Sequence, residues 1–461
     1  MQTTYRVRIW KIEVYRGKRA TTYTVRWTVD GAEKRSPHAN FPLADAFRSE
    51  LKQAMSRGEP FDVESGLPLS MLKRASTTTT WYDFATAFVD AKWTRSAGFT
   101  RKNRAEALMT VTVALLRAKP TEFKPIDVRI ALRTWAFNTA LREDAPTEVA
   151  TILNWVRRNS PTMNTWADPA TVRDALDAVA TTLDGKPAAG SSVRRKRSVL
   201  YNALEYAAVR GIIDNNPIRS VESTPVKTIR AIDKRCVINP AQARELLGYI
   251  ERRPWGGRRK HAFLATLYYA GLRPEEAAAL KVRDLTLPAA GWGEILVPLA
   301  RPEAGSNWTD SGTPYDTRQL KARAVGETRP VPAHPVLVAI LRDYVQNPGS
   351  LRAPQPSLKP GNRLFSGAHG GELSGEVYRR AWASARKAVL SDDDYDSPLG
   401  RRVYDLRHTC LTTWLNSGVP PARVAEWAGN SVPVLLATYA KCISGDEDDL
   451  KRRIEAVLPP E

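Results

Sequence analysis

The first 70 residues contain two short stretches, 5–10 and 23–29, in which apolar and polar side chains alternate. Such alternation is typical of half-buried strands. Asp30 and Gly31 favour a tight turn, and a third strand is predicted over 34–41. Apolar residues then recur on one helical face at Ala44, Phe47, Leu51 and Met55. We therefore predict a small β-β-β-α domain over 1–70.

Helical spacing dominates the middle of the chain. A linker is predicted over 65–80, because this stretch ends in a run of serine and threonine. The segment 81–89 is amphipathic, as expected of a helix packed on one side. Pro217 ends the last helical pattern of this region. The pattern predicts a helical domain over 76–222.

A third region begins at Cys236. Apolar residues recur at helical spacing at Ala243, Leu246, Leu247 and Ile250. Short strands are predicted at 295–297 and 329–331, and helices over most of the remainder. This region is predicted to form one domain over 236–461. The fold class is therefore expected to be multidomain and mainly α, with small antiparallel sheets.

The composition adds a strong positive charge. The chain has 461 residues, and its 69 Lys and Arg against 49 Asp and Glu give a net charge of +20. A polyanion is the natural partner of such a chain, and nucleic acid is the leading candidate. A generally basic surface, or attraction to anionic membranes, would also produce this charge. However, the sequence has no long apolar run and no basic amphipathic anchor, so no membrane partner is expected.

Cysteine usage and the first residues bear on cellular location. Cys236, Cys410 and Cys442 are scattered and odd in number, so they suggest neither a disulfide framework nor a metal cluster. No metal and no other cofactor is expected. The beginning of the chain lacks the apolar core of a secretory signal. These features predict a protein of the reducing cytoplasm.

Basic residues cluster at two places that are candidates for DNA contact, because Lys and Arg neutralise phosphates. The first set lies on the predicted N-terminal strands and comprises Arg6, Arg8, Arg26, Lys34 and Arg35. The second set precedes a helical pattern and comprises Arg194, Arg195, Lys196 and Arg197. A three-stranded sheet with a packed helix can place a sheet face in a DNA groove. An ordinary basic sheet face and a solvated helix face are the alternatives.

Two arginines and a late tyrosine occur in an order that favours phosphodiester chemistry. The set comprises Gly271-Leu272-Arg273, Glu276, Tyr404, Arg407, His408, Asn430 and Tyr439. A phenolic oxygen can attack phosphorus and store the bond energy in a covalent adduct. Its ordinary pKa of about 10 means that the site must help to remove its proton. Arginine offers a planar, permanently charged fork to oxygens that gain charge in the transition state.

This ordered set resembles the signatures of the tyrosine recombinase, or phage integrase, family. Gly271-Leu272-Arg273 matches the first arginine signature, 404–408 matches the second, and 428–430 followed by Tyr439 matches the third. The resemblance implies that Arg273 and Arg407 hold the scissile phosphate. It also implies that Tyr439 is the nucleophile and forms a covalent 3′-phosphotyrosine intermediate.

The resemblance further implies a lysine that protonates the leaving 5′-oxygen, located in a β-hairpin between the two arginine signatures. Lys321 is our candidate, with Arg318, Arg323 and Lys281 as rivals. A flexible ammonium group whose pKa falls on burial is a reasonable general acid. The alternative is one more lysine that contacts a phosphate.

Two positions depart from the family pattern. Tyr404 stands where histidine is common, and Asn430 stands where histidine or tryptophan is usual. Both side chains can donate a hydrogen bond to a phosphate oxygen, but neither can carry a positive charge. His408 either assists in removing the proton of the tyrosine or packs locally. Glu276 either orients an arginine or forms a simple helical pair with Arg273.

The resemblance implies a site-specific DNA recombinase that integrates or excises a phage or another mobile element. Its expected partners are double-stranded DNA attachment sites, further copies in a homo-tetramer on DNA, and a directionality factor. Residues 1–70 would bind arm sites, 76–222 core sites, and 236–461 would carry catalysis at the bacterial nucleoid. Two alternatives stay open: a degenerate DNA-binding protein that has lost catalysis, and a relaxase of the type IB topoisomerase kind.

Overall fold

The computed structural model describes residues 2–16, 21–71, 79–221, 231–254, 256–320, 326–349, 356–367, 370–442, 451–452 and 455. Contacts divide the chain into two compact units, 1–228 with 305–312 and 229–304 with 313–461. The fold is mainly helical with small antiparallel sheets, as predicted. Within the described ranges, no helix is both long and apolar enough to cross a membrane.

The first unit begins with a small sheet and one helix. Its elements are β1 (Thr3–Thr4), β2 (Val7–Ile9), β3 (Glu13–Arg16), β4 (Thr21–Val29), β5 (Ala32–His38), α1 (Phe41–Ser56) and β6 (Phe61–Asp62). β4 is central, with β5 on one edge and β2 and β3 in succession on the other. β1 pairs separately with β6. The predicted strand over 5–10 is thus shortened to β2, and β3 extends the same edge.

Alternation along β4 builds the core of this sheet. Val25, Trp27 and Val29 are buried and pack in one apolar cluster with residues of α1. The turn that follows has positive φ at both central residues, 49° at Asp30 and 84° at Gly31. Such a turn matches the twist of the flanking strands, so the pairing of β4 with β5 begins at the residues beside the turn, Val29 and Ala32.

The boundary between β5 and α1 lies earlier than the sequence predicts. The third strand was expected to continue towards Phe41, but β5 ends at His38. Asn40 caps α1, and its Oδ1 accepts a hydrogen bond from the backbone N–H of Leu43 at 3.0 Å. This cap takes up one of the helical N–H groups that lack an intrahelical partner, so the helix starts at Phe41.

The remainder of the first unit is helical. Its helices are α2 (Trp81–Trp93), α3 (Gly98–Ala114), α4 (Pro125–Ala131), α5 (Thr147–Asn159), α6 (Pro169–Ala180) and α7 (Gly190–Val209). A π-helical turn, Leu132–Ala136, directly follows α4. Trp81 is fully buried beside Trp166, and its indole N–H donates to Thr112 Oγ1 at 2.9 Å. A buried tryptophan with its N–H satisfied is well suited to anchor a helical core.

The short segment 305–312 belongs to this unit. Arg101 of α3 is 2% exposed and donates to both carboxylate oxygens of Asp310, at 2.7 and 3.1 Å. It also donates to the carbonyl of Trp308 at 3.0 Å and lies over the ring of Trp93. The finer division into domains at 1–70, 76–222 and 236–461 stays a prediction.

The second unit contains the three motifs identified above. Its strands are β7 (Leu285–Thr286), β8 (Gly293–Val297) and β9 (Arg329–Ala333). Its helices are α8 (Pro240–Glu251), α9 (Gly257–Ala270), α10 (Pro274–Ala277), α11 (Pro335–Gln346), α12 (Gly375–Val389), α13 (Asp392–Asp396), α14 (Asp405–Asn416), α15 (Pro421–Ala428) and α16 (Val432–Tyr439). The strands pair antiparallel in the order β7-β8-β9, which confirms both predicted strands.

Candidate active site

A left-handed glycine places the first arginine. α9 ends at Ala270 and is followed by Gly271, whose φ of 60° suits glycine; a Cβ on Gly271 would lie 2.7 Å from Leu411 Cδ1. Leu272 is fully buried, which fixes the chain between α9 and α10. Arg273 is the N-cap residue of α10, and its backbone N–H donates to Glu276 Oε2 at 3.0 Å. The backbone between α9 and α10 is therefore fixed on both sides of Arg273, which limits where its guanidinium can lie.

Arg273 is held by one carboxylate and by the third motif. Its Nη1 donates to Glu276 Oε1 at 2.6 Å, while its Nη2 donates to the carbonyl of Gly429 at 3.0 Å and to Asn430 Oδ1 at 2.8 Å. Its side chain is 24% exposed. These contacts orient the fork but leave part of it accessible, as a phosphate-binding role requires.

Arg407 approaches the same place from α14. Its side chain is 1% exposed, and its two terminal nitrogens donate to the backbone carbonyls of Gly271 and Ala428, the latter at 2.7 Å. Burial and the nearby charge of Arg273 lower the pKa of Arg407, although a guanidinium stays protonated in proteins. The two arginines of the motifs are therefore neighbours, joined through the ends of α9 and α15.

Tyr439, the last residue of α16, lies beside His408 of α14. Its hydroxyl is 2.9 Å from His408 Nδ1, and its side chain is 2% exposed. Burial raises the pKa of Tyr439 above its ordinary value, while the positive charges of Arg407 and Arg273 act in the opposite direction. The positive charges of both arginines therefore act on the phenol, which is protonated at neutral pH.

His408 is neutral under the same conditions. Burial lowers its pKa to about 4; Asp405 opposes this shift, whereas Arg402 and Arg407 reinforce it. A neutral imidazole nitrogen can accept the hydrogen bond of a phenol. Nδ1 of His408 therefore lies within hydrogen-bonding distance of the Tyr439 hydroxyl, and the part that either group takes in a reaction stays a prediction.

The two departures from the family pattern frame this centre. Tyr404 is the N-cap residue of α14, half-buried, with its ring in edge-to-face contact with His408 at 5.1 Å. Asn430 follows Gly429, and its Oδ1 faces Arg273, which leaves the amide nitrogen as its donor end. The structure therefore brings both neutral residues to the site, although their roles stay predictions.

Arg329 of β9 also belongs to the site, although it is part of none of the sequence motifs. This residue is 1% exposed, and it donates to Glu276 Oε1 at 3.1 Å and Oε2 at 2.7 Å. Burial alone would raise the pKa of Glu276, but the hydrogen bonds and charges of Arg329, together with Arg273 and Arg407, lower it to about 2. A signal was present in the sequence, because Arg329 is in phase with the buried Val331 of the same strand.

Lys321, the predicted proton donor, lies outside the described residues, as does its rival Arg323. Of the other rivals, Arg318 donates to the carboxylate of Asp316, with a closest distance of 2.7 Å. Lys281 donates its backbone N–H to Asp284. The assignment of the general acid therefore stays a prediction. Among the residues that the structure describes, no group of three His, Cys, Asp or Glu could hold a metal ion.

Comparison with known proteins identifies relatives of this chain. No family model matches it. Tyrosine recombinase XerC of Nitrobacter winogradskyi is 31% identical over 181 residues, which cover 39% of this chain and 45% of the relative. Tyrosine recombinase XerC of Mesorhizobium japonicum is 28% identical over 236 residues, which cover 51% of this chain and 59% of the relative. Over these segments the sequence of the chain is similar to those of tyrosine recombinases.

The resemblance predicted from the motifs is thereby confirmed, although the chain spans less than two thirds of the length of each of these relatives. Two solved structures are also similar to this chain. The Tn1549 transposon integrase in complex with a circular intermediate DNA has a TM-score of 0.47 and 15% identity, covering 71% of this chain and 99% of that chain. XerH bound to its difH substrate has a TM-score of 0.42 and 13% identity, covering 83% and 97%.

Three of the five N-terminal basic residues share one face of the sheet. Residues directly opposite on paired strands point to the same side. Arg26 lies opposite Arg35, and Arg8 lies opposite Thr28, two positions along β4 from Arg26. Arg8, Arg26 and Arg35 therefore lie on the face away from α1.

The other two N-terminal residues are placed differently. Lys34 lies opposite the buried Trp27, on the α1 side, and its ammonium donates to the carbonyl of Glu64 at 2.6 Å. Arg6 precedes β2 and is exposed. The open face also carries acid, because Glu33 Oε1 lies 2.7 Å from Arg26 Nε. Of the five N-terminal basic residues predicted to contact DNA, strand register therefore places Arg8, Arg26 and Arg35 together on the sheet face away from α1.

The run 194–197 lies on α7. Arg194 and Arg195 are exposed, and Arg197 is half-buried. Lys196 is turned towards α3, where its ammonium lies 3.7 Å from Glu106 Oε1. Helical geometry sends neighbouring residues in different directions, so this run cannot present all four charges to one phosphate backbone.

Replacing Gly429 with alanine should destabilise the second unit. Its φ is +62°, and a Cβ would lie 2.3 Å from Arg329 Nη1, which Glu276 holds in place. An alanine at this φ would add backbone strain of about 1–2 kcal/mol. Its Cβ would also disturb the buried ion pair between Arg329 and Glu276. We expect Gly429→Ala to lower the free energy of unfolding by about 3 kcal/mol or more in urea titrations.

Gly326→Ala is the matched control, because Gly326 belongs to the same unit, has a φ of +86°, and has open space where a Cβ would lie. It should show the strain alone. Equal losses in the two variants would contradict the close packing of Gly429 against Arg329.

The buried His408 should make folding pH-dependent. Its folded-state pKa of about 4 lies below the ordinary value of 6.5. The unfolded chain therefore binds the proton first, and stability is lost as pH falls from about 6.5 towards 4. His408→Asn keeps a neutral acceptor without this titration, so the loss between pH 7.5 and 4.5 should shrink by about 2 kcal/mol. Urea unfolding of both proteins at the two pH values measures this, and an unchanged loss would refute it.

Proposed function

We propose that this chain is a site-specific DNA recombinase of the tyrosine type, an integrase that cuts and rejoins duplex DNA at attachment sites. The observation that supports this most directly is the hydrogen bond between Tyr439 and His408, 2.9 Å long, beside two arginines. A phenol, a neutral base and fixed guanidinium groups are the parts that metal-free phosphoryl transfer by a tyrosine requires.

In the proposed reaction, Tyr439 Oη attacks the scissile phosphorus and its proton passes to His408 Nδ1. The bond from phosphorus to the 5′-oxygen breaks, and the 3′-phosphate stays attached to the tyrosine. Arg273 and Arg407 stabilise the oxygens that gain charge, each contributing a few kcal/mol by analogy with oxyanion donors. The leaving 5′-oxygen takes a proton, for which Lys321 is our candidate. Attack by a new 5′-hydroxyl reverses these steps and joins two strands.

The finer parts of the proposal follow from family resemblance and from charge. The net charge of +20 suits a DNA partner. Residues 1–70 would bind arm sites, 76–222 would bind core sites, and 236–461 would form a catalytic domain. Exchange of two duplexes needs four strand cuts, so we propose a homo-tetramer on DNA that acts for a phage or another mobile element, with a directionality factor, in the cytoplasm.

A second candidate function is DNA binding without catalysis. One observation favours it: Tyr439 is buried, and the terminal nitrogens of Arg407 donate to backbone carbonyls. This candidate predicts a gel shift with no covalent product under any condition. A relaxase of the topoisomerase kind would instead form the adduct but never join two distinct duplexes, so product topology separates it from a recombinase.

Tyr439→Phe should abolish the covalent protein–DNA adduct, because the nucleophilic oxygen is removed. The wild-type chain is first incubated with fragmented host DNA, and the DNA that becomes covalently attached to it is isolated. Sequencing this DNA identifies the junction at which the protein is attached. A duplex that carries this junction, nicked beside the scissile phosphate, then accumulates the adduct for gel assay. DNA affinity should change by less than about 3-fold, since one hydroxyl contributes little to a charge-dominated interface.

Tyr395→Phe is the control, because Tyr395 is exposed and contacts Arg386 through its backbone carbonyl and its ring, both of which phenylalanine keeps. It should form the adduct at the wild-type rate. If Tyr439→Phe still forms the adduct, another residue is the nucleophile.

The open face of the N-terminal sheet should contribute to DNA affinity. We expect Arg8→Ala/Arg35→Ala in the full chain to weaken duplex binding and to reduce the slope of log K against log salt by about 1–2. Lys52→Ala/Arg57→Ala removes two exposed charges from α1 and its end and serves as the control. Equal effects of the two double variants would remove the assignment of this face to DNA.

A further inference from the structure

Arg329 joins the site from a strand that carries none of the motifs. Its guanidinium is almost completely buried, and both terminal nitrogens donate to the carboxylate of Glu276. Its Nε is buried with no hydrogen-bond partner among the described residues. Because burial of an arginine is costly, its retention at this position calls for an explanation beyond simple packing.

The carboxylate of Glu276 is shared between two cations. Oε1 accepts from Arg273 Nη1 at 2.6 Å and from Arg329 Nη1 at 3.1 Å. Oε2 accepts from the backbone N–H of Arg273 at 3.0 Å and from Arg329 Nη2 at 2.7 Å. If Arg329 were absent, the single negative charge of Glu276 would be balanced by Arg273 alone. That arginine would then offer little net charge to a phosphate.

Gly429, at the end of α15, packs against both Arg273 and Arg329. The carbonyl of Gly429 accepts from Arg273, and a Cβ on Gly429 would lie 2.3 Å from Arg329 Nη1 and 3.4 Å from Arg273 Nη1. Both guanidinium groups are thus packed against one residue. A shift of Arg329 would be transmitted to Arg273 through Glu276 and through the backbone at Gly429.

We propose that Arg329 is a positioning residue of the recombinase: it neutralises Glu276 so that Arg273 keeps its positive charge for the scissile phosphate. This inference rests on the proposed function. Arg329 reaches the reaction through Glu276 and Arg273. A buried ion pair contributes little net stability compared with apolar packing, so a purely structural role would not require the charge.

The test compares two substrates that differ in the charge at the scissile phosphorus. Both are the nicked duplex that carries the junction mapped with the wild-type chain. One has a normal scissile phosphate, and the other has a methyl group in place of one non-bridging oxygen, so its phosphorus centre is neutral. Single-turnover rates of adduct formation are measured at saturating DNA, and thermal melting reports the folding of each variant.

Arg329→Met should lower the rate on the charged substrate by about 100-fold or more, as loss of a preorganised donor does elsewhere. On the neutral substrate the loss should be less than about 10-fold, because less charge develops for Arg273 to stabilise. Adding Glu276→Gln should recover part of the rate on the charged substrate, since Arg273 is then no longer neutralised. Recovery of melting temperature without recovery of rate would show a structural role and overturn the proposal.

Arg386→Met is the matched control, because Arg386 is a buried arginine of the same unit that donates to the carbonyls of Leu399 and Tyr395. Any loss in this variant should be equal on the two substrates. An equal loss on both substrates in Arg329→Met would also overturn the proposal. Failure of the wild-type chain to form an adduct with any duplex would instead refute the proposed function.

If Arg329→Met cannot be obtained folded, Arg329→Lys decides the question. It keeps a positive charge beside Glu276 but loses the fork of two hydrogen bonds. We expect its rate on the charged substrate to stay within about 10-fold of the wild type. A loss of about 100-fold or more that is equal on both substrates would overturn the proposal.

Discussion

The buried carboxylate of Glu276 is the constraint on which the rest of the site depends. It is 1% exposed and lies between the guanidinium groups of Arg273 and Arg329. A carboxylate at this depth stays ionised only when it is paired and its oxygens are hydrogen-bonded. β9 and α10 must therefore hold their separation closely. This requirement makes the small sheet part of the candidate site, although the sheet carries no motif.

The two arginines of the motifs are held differently from Arg329. Arg407 donates to the carbonyls of Gly271 and Ala428, and Arg273 donates to the carbonyl of Gly429. These carbonyls stand at the C-terminal ends of α9 and α15, where the helix dipole places partial negative charge. Neutral carbonyls orient a cation without cancelling its charge. The helix ends therefore fix the direction of both guanidinium groups and leave their positive charge available to a phosphate.

Much of this arrangement can be predicted from the sequence. The features that cannot be predicted are hidden for physical reasons. The order of the motifs identifies Arg273, Arg407 and Tyr439, and alternation identifies β4 and β5. β3 is not predicted because it has only four residues and all of them are exposed, so no buried face imposes a clear pattern on its sequence. The contact of His408 with Tyr439 joins positions 31 residues apart on different helices, and no local spacing encodes it. The face on which Lys34 lies is not predicted, because strand register, which sets that face, is not visible locally.

The charge balance of the site offers a reason why neutral Tyr404 can stand where histidine is common, and neutral Asn430 where histidine or tryptophan is usual. Three buried or half-buried guanidinium groups and the one carboxylate of Glu276 leave two positive charges, 3 − 1 = 2. A pentacoordinate phosphorus with two charged non-bridging oxygens matches that excess. Tyr404 and Asn430 then need to supply hydrogen bonds rather than charge, which a phenol and an amide can do. On this argument, the two departures would alter the pH dependence of the reaction more than its class.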